Sequence, residues 1–321
     1  MLPEGPVMQL ILSDVDNLLK KSTDACVGGR PVVLESKTAP HLPYHLFLPR
    51  ERHPEGRILV SVHGVSRNAE EHIELLRPLA ERYGVLLIAP VFGANRFPDF
   101  QRLGRNGRGP RADLALIRVL NELSAATAWD TSKIDMFGFS GGAQFAHRFA
   151  LAHPQRVRSL AIGAAGWYTM PDDTLPYPYG ISVASGLDAV RLNAIAASRL
   201  PALVLVGERD DCDDDEELNR SKIVRRNQGV NRLERARTWT QAMNAFAASR
   251  GEPAVASLVT LPGVDHSFRD AVIDGDLAAH VFRHCYAESV LSRLGPPSTA
   301  ELANEYAGDV ARPVQHGKRH G

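Results

Sequence analysis

Short apolar runs alternate along this chain with longer stretches in which apolar residues recur every three or four positions. Runs of the first kind, at 31–35, 44–48, 57–64, 85–90, 134–137, 157–163, 202–207 and 256–261, predict strands. The run at 85–90 is apolar throughout, as in strands covered on both sheet faces. Stretches of the second kind predict helices over 8–21, 70–83, 113–126, 143–153, 233–249 and 277–291. Pro78 lies inside one of them and is expected to kink it.

Strands alternating with helices predict an α/β fold with a mostly parallel sheet and helices on both faces. Crossovers in such sheets are right-handed, and sites form where loops leave the carboxyl ends of strands. The rhythm breaks over 164–200, where Pro171, Pro176, Pro178 and Gly180 accompany Trp167, Tyr168, Tyr177 and Tyr179. That stretch is too short for a core of its own and reads as an irregular lid or insertion over a site. The expected organisation is an N-terminal accessory segment at 1–30, one domain at 31–294 and a mobile tail at 295–321.

The most informative local feature is Gly138-Phe139-Ser140-Gly141-Gly142, between a predicted strand and a predicted helix. G-x-S-x-G in that context is a nucleophile elbow, a tight turn that lifts the serine hydroxyl to a helix N-terminus. There, free amide groups and the positive end of the dipole favour developing negative charge. A short motif of this kind also occurs as a plain glycine-rich turn, so the rest of the chain must support it.

A serine hydroxyl is a weak nucleophile at neutral pH and needs a base, which in turn needs an orienting acid. Asp210 follows the strand at 202–207 and His266 follows the strand at 256–261, in the order expected after Ser140. Asp211, Asp213, Asp214 and Asp215 adjoin Asp210, and any of them could reach a histidine by a small loop shift. This acidic run lacks the glycine and terminal glutamate of a calcium-binding EF-hand loop. For the oxyanion hole, Gly141 offers one N–H, and the loop His63-Gly64-Val65-Ser66-Arg67-Asn68 offers a second, assigned to Val65. His63 reads as a loop brace. Trp167 and Tyr168 either line the substrate pocket or pack the insertion onto the core. Arg67, Arg96, Arg102, Arg105, Arg108 and Arg111 read as a solvated basic surface, with an acidic substrate as the alternative should they face the site.

Composition narrows the function classes. The chain has 321 residues, 44% hydrophobic, with 37 basic and 37 acidic side chains. A balanced charge argues against nucleic acid or an acidic membrane as partner. Cys26, Cys212 and Cys285 lack any C-x-x-C spacing, which argues against a cysteine-built zinc site. No basic n-region precedes the short apolar run at 8–12, and no stretch is long and apolar enough to span a bilayer. The reading is a cytoplasmic protein without a membrane span; oligomeric state is left open.

Several stretches together resemble the α/β-hydrolases and, more narrowly, bacterial polyhydroxybutyrate-depolymerase-like serine esterases. They are His63-Gly64, the segment from Gly138 to Phe145, Ala165-Gly166-Trp167-Tyr168-Thr169-Met170-Pro171, the segment Gln228-Gly229-Val230-Asn231-Arg232-Leu233-Glu234-Arg235, and Gly263-Val264-Asp265-His266. The resemblance implies an α/β-hydrolase fold, the triad Ser140, Asp210 and His266, and Val65 and Gly141 as oxyanion donors. It implies cleavage of a small-molecule or oligomeric ester through an acyl-enzyme, with no metal or organic cofactor. A peptidase or amidase using the same triad, and a catalytically silent binding protein on the same fold, are the alternatives.

Overall fold

A computed structural model describes residues 9–10, 30–38, 40–182 and 191–290 of the chain. Nine strands among these residues form one sheet in the order β1-β2-β3-β5-β4-β6-β7-β8-β9. They are β1 (Gln9–Leu10), β2 (Val32–Glu35), β3 (Pro43–Phe47), β4 (Ile58–Val62), β5 (Leu86–Pro90), β6 (Ile134–Phe139), β7 (Val157–Gly163), β8 (Ala202–Gly207) and β9 (Ala256–Leu261). Strand β3 runs antiparallel to both β2 and β5, and the strands from β5 to β9 are parallel. The chain crosses over between β4 and β5, between β5 and β6, and again into β7, β8 and β9. These connections carry α1 (Ala69–Tyr83), α2 (Ala112–Ala126), α3 (Gly141–Ala152), α4 (Ala194–Ala197), α5 (Lys222–Gln228) and α6 (Arg232–Ala248); α7 (Phe268–Ile273) and α8 (Leu277–Val290) follow β9.

The period of two along each strand divides the core. Val60, Val62, Ile88, Met136, Ile162 and Val204 face helices α2, α3 and α6, where Leu116, Leu120, Phe145, Phe149 and Trp239 meet them. Leu59, Leu87, Phe137, Ala161, Leu203 and Leu205 point the other way, onto Ile73, Leu76, Leu79, Val281 and Phe282 of α1 and α8. Covered on both faces, strands β4, β5, β6 and β8 are buried along their whole length. Helix α1 continues through Pro78 to Tyr83 and ends at Gly84, whose φ of 66° makes the left-handed cap.

The helix expected over 8–21 is corrected in its described part. Gln9 and Leu10 pair in parallel register with Val33 and Leu34, so backbone pairing at the sheet edge overrides the helical period there. Residues 1–8 and 11–29, part of 164–200 and the expected tail at 295–321 lie outside the described residues. No described helix is long and apolar enough to cross a membrane.

Candidate active site

Strand β6 delivers Ser140 at its carboxyl end, and α3 begins at the next residue. The turn is possible only because glycine flanks it. A Cβ at Gly138 would collide with the Gly142 carbonyl, and one at Gly142 with the Val62 carbonyl. Ser140 itself takes φ 52° and ψ −113°, a strained geometry for a residue with a side chain. Its amide is tied to the Gly163 carbonyl at 2.8 Å, which fixes the elbow against β7.

The loops after β8 and β9 are laced together by bonds from backbone amides. Glu208 N donates to Leu261 O at 2.9 Å, Arg209 N to Val264 O at 2.8 Å, and Gly263 N to Glu208 Oε2 at 2.9 Å. Asp210 and His266 thereby meet. His266 Nδ1 lies 2.8 Å from Asp210 Oδ2, and His266 Nε2 lies 3.0 Å from Ser140 Oγ. A carboxylate can only accept, so Nδ1 carries the proton and Nε2 accepts from the Ser140 hydroxyl. The imidazole also stacks on Phe139, with ring centroids 5.5 Å apart. Asp210 is buried; Asp211, Asp213 and Asp214 are exposed. The structure thus brings Asp210 rather than those neighbours to His266.

Val65 and Gly141 border the same point. Gly141 is the first residue of α3, so its N–H has no acceptor within the helix. A Cβ added to Gly141 would lie 3.2 Å from Val65 N, and one added to Gly64 would lie 3.8 Å from Ser140 Oγ. The loop is held from behind by His63, whose Nδ1 donates to Gly64 O at 2.7 Å while its Nε2 accepts from Phe92 N at 3.0 Å. Gly64, Val65, Ser140, Glu217, His266 and Arg269 line a cavity of about 280 Å³. A larger cavity of about 910 Å³, bordered by Met170, Ile195 and Phe246, includes none of Ser140, Asp210 and His266. Ser140 and His266 both line the smaller one.

Trp167 and Tyr168 do not line this cavity; both are buried, as in the packing alternative. Trp167 packs under the Arg148 guanidinium, 4.3 Å from its ring centroid. Tyr168 is fully buried between Trp239 and His147. The cause lies in the Gln228-to-Arg235 stretch. Gln228 grips the Tyr168 backbone twice at 2.8 Å, and Arg235 donates to the carbonyls of Gly166, Asn219 and Gly229. Trp239 Nε1 donates to Thr169 O at 3.1 Å, and His147 Nε2 accepts from Thr169 N at 2.9 Å. These bonds pin the aromatic segment to the body of the protein. Of the six arginines read as a solvated surface, Arg96 and Arg108 are exposed. Arg102 and Arg105 instead pair with buried Asp99, and Arg111 with buried Asp113. None of the six lines the cavity at Ser140.

Three buried histidines make stability depend on pH. Burial pushes His63 down to about 4, and holds His72 and His147 well below the usual range. Their folded pKa values are lowered, so below the unfolded value of about 6.5 the unfolded chain binds more protons than the folded one. Their contribution is complete above that value and is lost as the pH falls below it, by up to about 1.4 kcal/mol per pH unit for each histidine. Urea unfolding midpoints measured from about pH 7.5 to about pH 5 are expected to fall steadily below about pH 6.5; a flat profile would contradict neutral burial.

Comparison with known proteins agrees with this architecture. A poly(3-hydroxybutyrate) depolymerase, LpqC of Bordetella parapertussis, superposes with a TM-score of 0.68 at 25% identity, over 92% of this chain and 98% of that one. The chain is an α/β-hydrolase. Within that superfamily it resembles the polyhydroxybutyrate-depolymerase-like proteins. The α/β-hydrolase fold is shared also with poly(aspartic acid) hydrolase-1 of Sphingomonas sp. KT-1, with a TM-score of 0.65 at 23% identity over 84% of this chain and 100% of that one. An S-formylglutathione hydrolase of Agrobacterium tumefaciens has a TM-score of 0.54 at 15% identity over 81% and 96% of the two chains. No family model and no curated protein matches the sequence. Among the described residues, no group of three or more histidine, cysteine, aspartate or glutamate side chains is arranged to hold a metal ion.

Proposed function

We propose that this α/β-hydrolase is a serine hydrolase that cleaves a carboxylic ester through an acyl-enzyme. The observation that carries the reading is the continuous hydrogen-bonded chain from Ser140 Oγ through His266 to Asp210 Oδ2, at 3.0 and 2.8 Å. Ser140 Oγ attacks the ester carbonyl while His266 Nε2 takes its proton. Asp210 holds the tautomer and stabilises the imidazolium that forms. The Val65 and Gly141 amides receive the carbonyl oxygen as it gains charge, and the protonated His266 then passes its proton to the leaving alkoxide. Water activated by the same imidazole releases the acid and restores Ser140.

The depolymerase at 25% identity is named for a polyester, which favours an ester over an amide for this chain as well. The cavity at Ser140, about 280 Å³, suits a short acyl group such as a hydroxyacid unit at the end of an oligoester. A fluorophosphonate probe is expected to label the protein at Ser140. Short-chain p-nitrophenyl esters are expected to turn over faster than long-chain esters and far faster than anilides. Absence of labelling would overturn the hydrolase reading, and turnover of anilides alone would make the protein an amidase.

A further inference from the structure

The proposed reaction uses one of the two Asp210 oxygens. Oδ2 serves His266, whereas Oδ1 accepts from Arg232 Nη1 at 3.1 Å, and the same nitrogen reaches Asp215 Oδ2 at 2.6 Å. Asp210 and Arg232 are each only 2% exposed, so this ion pair is shielded from bulk water. Arg232 is held there by local sequence. Asn231 caps α6 by accepting from Glu234 N at 2.8 Å, and Glu234 Oε2 reaches back to Val230 N at 2.8 Å. This reciprocal box fixes Arg232 as the first residue of the helix, aimed at the loop after β8.

We infer that Arg232 is a positioning residue that clamps Asp210 and, together with Asp215, sets the pH at which His266 becomes available as a base. The inference rests on the serine-hydrolase reading above. A buried carboxylate alone beside an imidazole favours the imidazolium in the resting enzyme, which removes the base at moderately acidic pH. A guanidinium on the far oxygen opposes that effect and also fixes the plane of the carboxylate. Asp215, touching the same guanidinium, returns one negative charge to the group, so support for the imidazolium formed during the reaction is kept.

Among the described residues, no other ionisable side chain is hydrogen-bonded to the Asp210 or His266 side chain. Glu217 and Arg269 line the cavity, and Arg269 is paired with Glu71 at 2.9 Å. Arg235 is occupied by carbonyls of the insertion, of the loop before α5 and of the α5–α6 connection. The Tyr168 hydroxyl is kept neutral, its ionisation pushed up by burial and by Asp210.

The test follows the His266 imidazole by NMR titration, alongside the acidic limb of kcat/KM. Arg232→Met is expected to move His266 titration upward by about one pH unit and to lower kcat with little change in KM. Asp215→Asn is expected to move it downward, and Arg232→Lys to restore most of the native value. A purely structural role predicts lower stability without opposite shifts, so movement of both variants in one direction, or no movement, would overturn the inference. Should Arg232→Met not fold, Asp215→Asn decides alone, because its side chain sits at the rim with 26% exposure; no downward shift would then overturn the proposal. The imidazole titration is readable without turnover. A native protein that cleaves no ester therefore counts against the proposed function and leaves this result separate.

Discussion

Ser140→Ala is expected to lower kcat by roughly 10⁴- to 10⁶-fold and to abolish fluorophosphonate labelling, with the fold retained. The loss is large because nucleophile and base act as one unit. Without Oγ, the His266 Nε2 now 3.0 Å away has no proton to take, and no acyl-enzyme can form. The residual rate would come from the Val65 and Gly141 amides alone. Stability should be unaffected, since the elbow is set by Gly138 and Gly142 and by the Ser140 amide bond to Gly163, none of which the substitution touches. Melting temperature and kcat measured on the same preparation check both halves. Turnover near the native level would remove Ser140 from the mechanism. Asp210→Asn is the companion experiment, with an expected loss of about 10⁴-fold through the wrong imidazole tautomer. Asp213→Asn, on an exposed side chain, should change kcat little. The reverse ranking would reassign the acid.

The central sheet was legible in the sequence because parallel strands covered on both faces must be apolar throughout, as β5 and β8 are. The meeting of Ser140, Asp210 and His266 was legible because each follows a predicted strand at its carboxyl end. What escaped depends on contacts between distant segments. Helix α7, six residues long, is too short to show a period. Trp167 and Tyr168 follow a strand end as pocket residues do, and only the grip of Gln228 and Arg235 decides that they pack inward. The cap formed by Asn231 and Glu234 was a readable signal for the start of α6. Arg232 behind it looks like any basic residue in a first helical turn until the loop after β8 is folded against it. Gln9 and Leu10 carried a helical period, and their pairing with Val33 and Leu34 depends on a neighbour that the local pattern does not contain.

Asp135 is the residue whose loss should cost the fold most. It interrupts the apolar face of β6, and its buried carboxylate receives both Arg57 Nε at 2.9 Å and Arg57 Nη2 at 2.8 Å. Ser159 Oγ adds a third bond at 2.7 Å, and the same Arg57 Nη2 donates to the Cys285 carbonyl at 2.8 Å. The Asp135–Arg57 pair therefore joins β6, β7 and helix α8 to the residue that leads into β4. Burial alone would lower the Arg57 guanidinium, but its bonds to Asp135 hold it above its ordinary value, so it stays charged. Asp135→Ala leaves that charge with only the exposed Glu55, 3.2 Å from Arg57 Nη1, as acidic partner, and loss of a buried partner typically costs about 3–5 kcal/mol. A fall in Tm on the order of 10 °C is expected. The penalty belongs to the stranded cation rather than to the pair, because two desolvated charges gain little over well-packed apolar residues. The double substitution Arg57→Met with Asp135→Leu should therefore recover much of the lost stability. Urea unfolding of the single and double variants distinguishes the two accounts. A double variant as unstable as Asp135→Ala would mean that the ion pair itself, with its bonds to Ser159 and Cys285, holds helix α8 on the sheet.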